Sequence, residues 1–125
     1  MTKKDKQLLF IDLSARLPYR VKCFHPYGIS ELDSINVEDY GIDVTFKTPD
    51  GNHYYSIEEC KPYLRRMSSM SKEEHRTYIS LLAHSLPHIT LDWLNKKHFD
   101  YRRNEDEEGL IEKGLALEAP KNMYK

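Results

Sequence analysis

The chain of 125 residues predicts one α+β domain over residues 1–125. It consists of an N-terminal helix, a short antiparallel sheet of three or four strands, and two or three C-terminal helices packed on one face. Three observations carry this expectation. Leu9, Leu13 and Leu17 recur at i, i+4 and i+8, the period of a helix with one apolar stripe. Ile42, Val44 and Phe46 alternate with Asp43, Thr45 and Lys47, the period of a half-buried strand. Two serine-to-glutamate capping boxes, Ser56 with Glu59 and Ser71 with Glu74, mark helix starts further on.

In chain order, residues 5–17 form the first helix, with Phe10 beside the leucines, Asp12 and Arg16 on the other side, and Thr2 or Asp5 as cap. Pro18 ends it, because the residue before a proline avoids the helical region. Residues 19–24 alternate as a strand, with Tyr19, Val21 and Cys23 on one face and Arg20, Lys22 and Phe24 on the other. A turn at 25–28 leads to a weaker strand over 29–37. A second turn at 39–41 precedes the clear strand of Ile42, Val44 and Phe46. Thr48-Pro49-Asp50-Gly51 has the proline and glycine placement of a type I turn, and residues 53–57 return as the partner strand. The first capping box opens a short helical turn. The second opens a full helix with His75, Tyr78, Ile79 and Leu82 on one face, ending near Ser85.

The C-terminal part begins with a helix over 91–98 capped by Thr90, in which Asp92 and Lys96 make an i,i+4 pair. Trp93, the only tryptophan, is expected to be mostly buried among Ile89, Leu94, Phe99, Leu110 and Ile111 and to anchor this segment. Residues 108–113 make one or two helical turns closed by Gly114 as a left-handed cap, and Pro120 marks the end of ordered structure.

Charged residues make up 31% of the chain, yet the formal net charge is −1. That balance argues against a dedicated DNA-coating protein and a polybasic membrane binder. No apolar run approaches the ~20 residues of a membrane span. Cys23 and Cys60 are too few for a disulfide framework, so the expectation is a cytoplasmic protein with reduced thiols and no membrane partner.

Candidate chemistry is sparse. Cys23 and His25 share a strand face, and Cys60, His53 and His75 lie elsewhere. No C-x-x-C pair answers them, so no metal and no cofactor is expected. Neither cysteine has the electropositive setting of a nucleophile. His98 and Asp100, followed by Tyr101 and Arg102, form either an acid–base site or a polar clamp; equally, the histidine can serve a helix C-terminus and the aspartate a loop. Lys61, Tyr63, Arg65 and Arg66 mix basic and aromatic side chains, as surfaces that track single-stranded nucleic acid do; the alternative is ion pairing with Glu73 and Glu74.

Six phrases then stand in one order: L-S-A-R-L-P-Y from Leu13, K-P-Y-L-R from Lys61, M-S-S-M-S from Met67, D-W-L-N from Asp92, H-F-D-Y-R from His98, and G-L-I-E-K-G-L-A-L-E-A-P from Gly109. Together they resemble a family of small uncharacterised proteins carried by phages and prophages of gut Bacteroidales, nearly end to end. The resemblance implies a phage accessory role and supplies no activity, cofactor or catalytic residue. Residues 103–108 depart from the family pattern as an insertion. The leading expectation is a phage- or prophage-encoded, non-enzymatic interaction module acting on a host protein. The alternatives are nucleic acid or nucleotide-like anion binding through Lys61–Arg66, and a small enzyme using His98 and Asp100.

Overall fold

A computed structural model describes residues 1–124. Helix α1 (Lys3–Arg16) starts under Thr2, whose hydroxyl accepts the Asp5 N–H at 3.1 Å while the Asp5 carboxylate accepts the Thr2 N–H at 3.4 Å. The two bonds satisfy donors that a first turn otherwise leaves open. After a 3-10 turn (Leu17–Tyr19) the chain reverses at Arg20, with φ of 51°, into β1 (Lys22–His25). The strands β2 (Gly28–Glu38), β3 (Gly41–Thr48) and β4 (Gly51–Ser56) follow as an antiparallel meander. A capped 3-10 turn (Ile57–Glu59) then leads into β5 (Lys61–Arg66), which returns beside β1.

From β5 the chain leaves the sheet through α2 (Lys72–His84) and α3 (Pro87–Lys96), then comes back as β6 (Phe99–Asp100) and later β7 (Leu117–Glu118). Both late strands pair with β5 in parallel. Parallel neighbours need a crossover of a dozen or more residues, and the α2–α3 pair is that crossover.

The sheet therefore has seven strands, with path order β4-β3-β2-β1-β5-β6 and β7 also on β5. This overturns the expected short sheet of three or four strands. The strand most easily missed is β5, whose sequence KPYLRR carries three cations and a proline. It is central nonetheless, with Pro62 and Leu64 buried between side chains that reach partly to solvent. β6 and β7 are two residues each, too short for any period to show. Three α-helices are described, one N-terminal and two in the crossover; residues 109–114 form hydrogen-bonded turns and no α-helix.

The core gathers Leu9, Leu13, Val21, Cys23, Leu32, Val44, Phe46, Ile57, Cys60, Leu64 and Leu110, all 0–2% exposed. Ile42 and Leu17 pack against it from partly buried positions. Four local expectations need correction. Asp12 and Arg16 do not face solvent: both are 0% exposed. With Leu9 and Leu13 they occupy i, i+3, i+4 and i+7, so they complete the buried stripe of α1. Thr90 does not cap a helix but is buried within α3, which begins at Pro87, a residue suited to a first turn because it lacks the N–H that would be left open there. Asp92 accepts a hydrogen bond from the Tyr19 hydroxyl, and no ion pair to Lys96 forms among the described residues. Order does not stop at Pro120. The Tyr124 hydroxyl donates to the Tyr63 carbonyl at 2.7 Å and accepts the Lys22 N–H at 2.9 Å, tying the tail to β5 and β1.

Candidate interaction surface

The polar residues singled out in the sequence lie along β5 and β6, at one end of the sheet, and most already have partners. Arg65 makes two bonds to the Glu74 carboxylate, at 2.6 and 2.7 Å, across the start of α2. Its guanidinium also lies 4.2 Å from the Phe99 ring centroid. The forked pairing holds the Glu74 carboxyl down at about 2. Arg66 pairs with Glu118 of β7. Lys61 and Tyr63 stay partly exposed on the sheet, Lys61 directly opposite Phe24.

His98 and Asp100 stand two residues apart but serve different neighbours. The two Asp100 carboxylate oxygens accept the N–H groups of Leu110 and Ile111, each at 3.1 Å, so this side chain caps the 109–114 turns as a helix-capping aspartate would. Gly109 leaves room beside it: a Cβ there would lie 2.8 Å from the same carboxylate and 2.5 Å from the Arg103 guanidinium, so these side chains would have to shift. His98 adopts φ of 63° at the end of α3 and stacks on Tyr124 with ring centroids 3.8 Å apart. Burial, with Arg16, Arg65 and Lys22 nearby, pushes its imidazole down to about 4, so it is neutral near pH 7. The cleft beside His98 is lined by Arg65, Glu74, Lys96, Lys97 and Tyr124 and does not reach Asp100. Tyr101 and Arg102 join a buried polar junction. The Tyr101 hydroxyl donates to Asn95 at 2.9 Å, and Arg102 donates to that hydroxyl at 3.0 Å and to Asp12 at 3.3 Å. Arg16 completes it with two bonds to Asp12, at 2.8 and 3.1 Å, and one to the Phe99 carbonyl at 2.5 Å.

The cysteine and histidine candidates resolve similarly. His25 is buried, bonds Ser30 at 2.9 Å through Nε2, accepts the Tyr27 N–H at 3.2 Å through Nδ1, and packs against both Phe46 and Tyr55. Both ring nitrogens are thereby used. Burial pushes the Cys23 thiol far up and the Cys60 thiol to about 12, which opposes nucleophilic chemistry at either. His84 and His88 are four positions apart, but one ends α2 and the other opens α3. Among the described residues no three metal-ligating side chains gather.

What the polar candidates lack, the crossover supplies. α2 buries none of its residues. Its inner side is only partly covered, where Tyr78 stacks on Trp93 at 6.3 Å and Trp93 in turn meets Phe99 at 5.9 Å. Trp93 is thereby mostly buried, as expected, though not fully enclosed. The exposed side of α2 carries Ile79 at 50% and Leu82 at 55% exposure, Leu86 at 62% follows in the link that caps α3, and Ile89 and Leu91 are exposed on separate sides of α3. His75, Ile79 and Leu82 are spaced 4 and 3, so they share one side of α2. The sequence placed His75, Ile79 and Leu82 on one face together with Tyr78, which the structure turns inward.

No described helix is long and apolar enough to cross a membrane. Comparison with protein-family models, with curated proteins and with solved structures finds no match to this chain.

Proposed function

We propose that this chain is a non-enzymatic interaction module that uses the outer face of α2–α3 to hold an amphipathic helix of a host protein. The resemblance of its six phrases to a phage-borne family supports a phage or prophage origin and an accessory role in the cytoplasm. One observation carries the reading: Ile79 and Leu82, on one side of α2, and Leu86, in the link to α3, are each at least half exposed, with no covering element among the described residues. Single exposed apolar residues are ordinary, but several within one short segment mark a docking surface. An amphipathic helix can lay its apolar face on such a surface.

The polar alternatives have less to work with. An anion site at Lys61–Arg66 would compete with Glu74 and Glu118 for its two arginines. An acid–base pair of His98 and Asp100 would need the aspartate to leave two backbone donors.

The test is capture from Bacteroidales host lysate by the wild-type chain and by an Ile79→Glu/Leu82→Glu variant with unchanged far-UV circular dichroism. The reading expects one partner retained by the wild type at high salt and lost by the variant. Equal capture by both, or release from the wild type as salt rises, would reject it, the latter in favour of a phosphate-bearing ligand.

A further inference from the structure

The seven-stranded sheet ends at β4, and the geometry of that edge is self-complementary. The Ser56 N–H bonds to the Glu59 carboxylate at 3.1 Å instead of to β3. In an antiparallel ladder, residues alternate between bonding the neighbour and facing away from it. Counting back from Ser56, Tyr54 and Asn52 turn their backbone N–H and C=O away from β3. Among the described residues nothing bonds to these groups. The edge also lacks the usual protections against pairing. Gly51–Ser56 contains no lysine, no other formally charged residue and no proline, and its register with β3 runs without a bulge. The side chains around it are aromatic. Tyr54 is 63% and Tyr27 81% exposed, and Tyr27 leans on His53 at 5.7 Å.

We propose that β4 pairs antiparallel with β4 of a second copy of this chain, about a two-fold axis through His53. That axis sets Asn52 opposite Tyr54 of the second copy, and Tyr54 opposite its Asn52. Each pair exchanges two backbone bonds, so four bonds use every outward N–H and C=O of Asn52 and Tyr54 in both copies. A two-fold contact brings a patch against itself. Any charged side chain in this strand would therefore meet its own copy nearby, and the strand has none. The result is one continuous sheet of twice the strands, with the α2–α3 surface of each copy left free. The pairing is independent of the helix-docking function above, because it rests on the opposite end of the sheet.

The test is sedimentation velocity of the full chain from low to high micromolar concentration, together with two edge variants and one helix variant. Asn52→Pro removes an outward N–H without breaking the β3–β4 ladder, and Tyr54→Lys places a charge on the edge. The proposal expects the wild type to pass from monomer to dimer as concentration rises, both edge variants to stay monomeric with native circular dichroism, and Ile79→Glu/Leu82→Glu to dimerise like the wild type. A wild type that is monomeric throughout would overturn it and leave the edge for a foreign strand. So would a dimer that survives both edge variants or dissolves in the helix variant. Should the edge variants fail to fold, amide hydrogen exchange on the wild type decides. Asn52 and Tyr54 amides must be protected at dimer concentrations and exchange on dilution; free exchange in the dimer would refute the pairing.

Discussion

The junction beneath α1 and the outer face of α2–α3 invert the usual placement of residues. At the junction two full charges, Asp12 and Arg16, are completely buried. On the crossover five aliphatic side chains, Ile79, Leu82, Leu86, Ile89 and Leu91, lie in the open. The difference is partnership. The Asp12 carboxylate accepts from Arg16 and Arg102, and Arg16 reaches on to a main-chain carbonyl. Buried charge is tolerable on those terms because Coulomb attraction and hydrogen bonds offset much of the lost hydration. The aliphatic stripe of α2 has no such closure. The contrast separates residues that hold the fold from residues left available for use.

The most severe way to break the contrast is to remove one member of the buried pair. Asp12→Ala leaves Arg16 without its main counter-charge in the interior, and urea unfolding is expected to show a loss of about 3–5 kcal/mol. Replacing both partners by apolar residues, as in Asp12→Leu/Arg16→Met, should recover most of that loss, since no fully buried charge is left unpaired and Arg102, which also loses Asp12, reaches partly to solvent. A double variant as unstable as the single one would show that geometry beyond the pair matters more.

Trp93 sits between the two regions, touching Tyr78 of α2 and Phe99 of β6. Trp93→Ala is expected to cost about 3 kcal/mol, the low end for buried aromatics because the ring is not fully enclosed. Its fluorescence should be blue-shifted yet partly open to quencher. Full quencher access with no loss of stability would detach α2 from the fold altogether.

Acid sharpens the same division. The imidazole of His98 titrates near 4 when folded, below its ordinary value, so the folded state favours the neutral ring. Its contribution is complete above about pH 6.5 and falls as pH drops toward 4, by about 2–3 kcal/mol in all. Glu74 behaves as a depressed carboxyl: its contribution holds above about pH 4.5 and is lost on the way to 2. The two windows barely overlap. His98→Asn, which suits the positive φ, should flatten the slope of stability between pH 7 and 4.5 and leave the lower limb unchanged. Urea midpoints across that range check it, and an unaltered slope would remove His98 as the cause.

The smallest effect is expected on the crossover. Ile79→Ser and Leu82→Ser should each change stability by less than about 0.5 kcal/mol, as exposed substitutions do. A loss above about 1 kcal/mol in thermal or urea unfolding would mean that the stripe is part of the packing.

Local chemistry in the chain was sufficient for several elements. The capping boxes at Ser56 and Ser71 form as written, because a hydroxyl and a carboxylate three positions apart need only the helix they start. The alternation through Val44 and Phe46 puts both in the core, although Thr45 between them is buried too, on the opposite face. The stripe from Leu9 was legible too, but only as far as hydrophobicity marks it; Asp12 and Arg16 lie in it and read as surface. Their burial depends on Phe99 and Arg102, more than eighty positions away. Separation along the chain also hides β6 and β7, which exist because the chain returns to β5 after the crossover. It also explains α2, whose period announces an apolar face without saying against what. Periodicity is a property of neighbours along the chain, whereas partnership of a charge, a strand edge or an apolar stripe is settled by whatever the fold brings alongside.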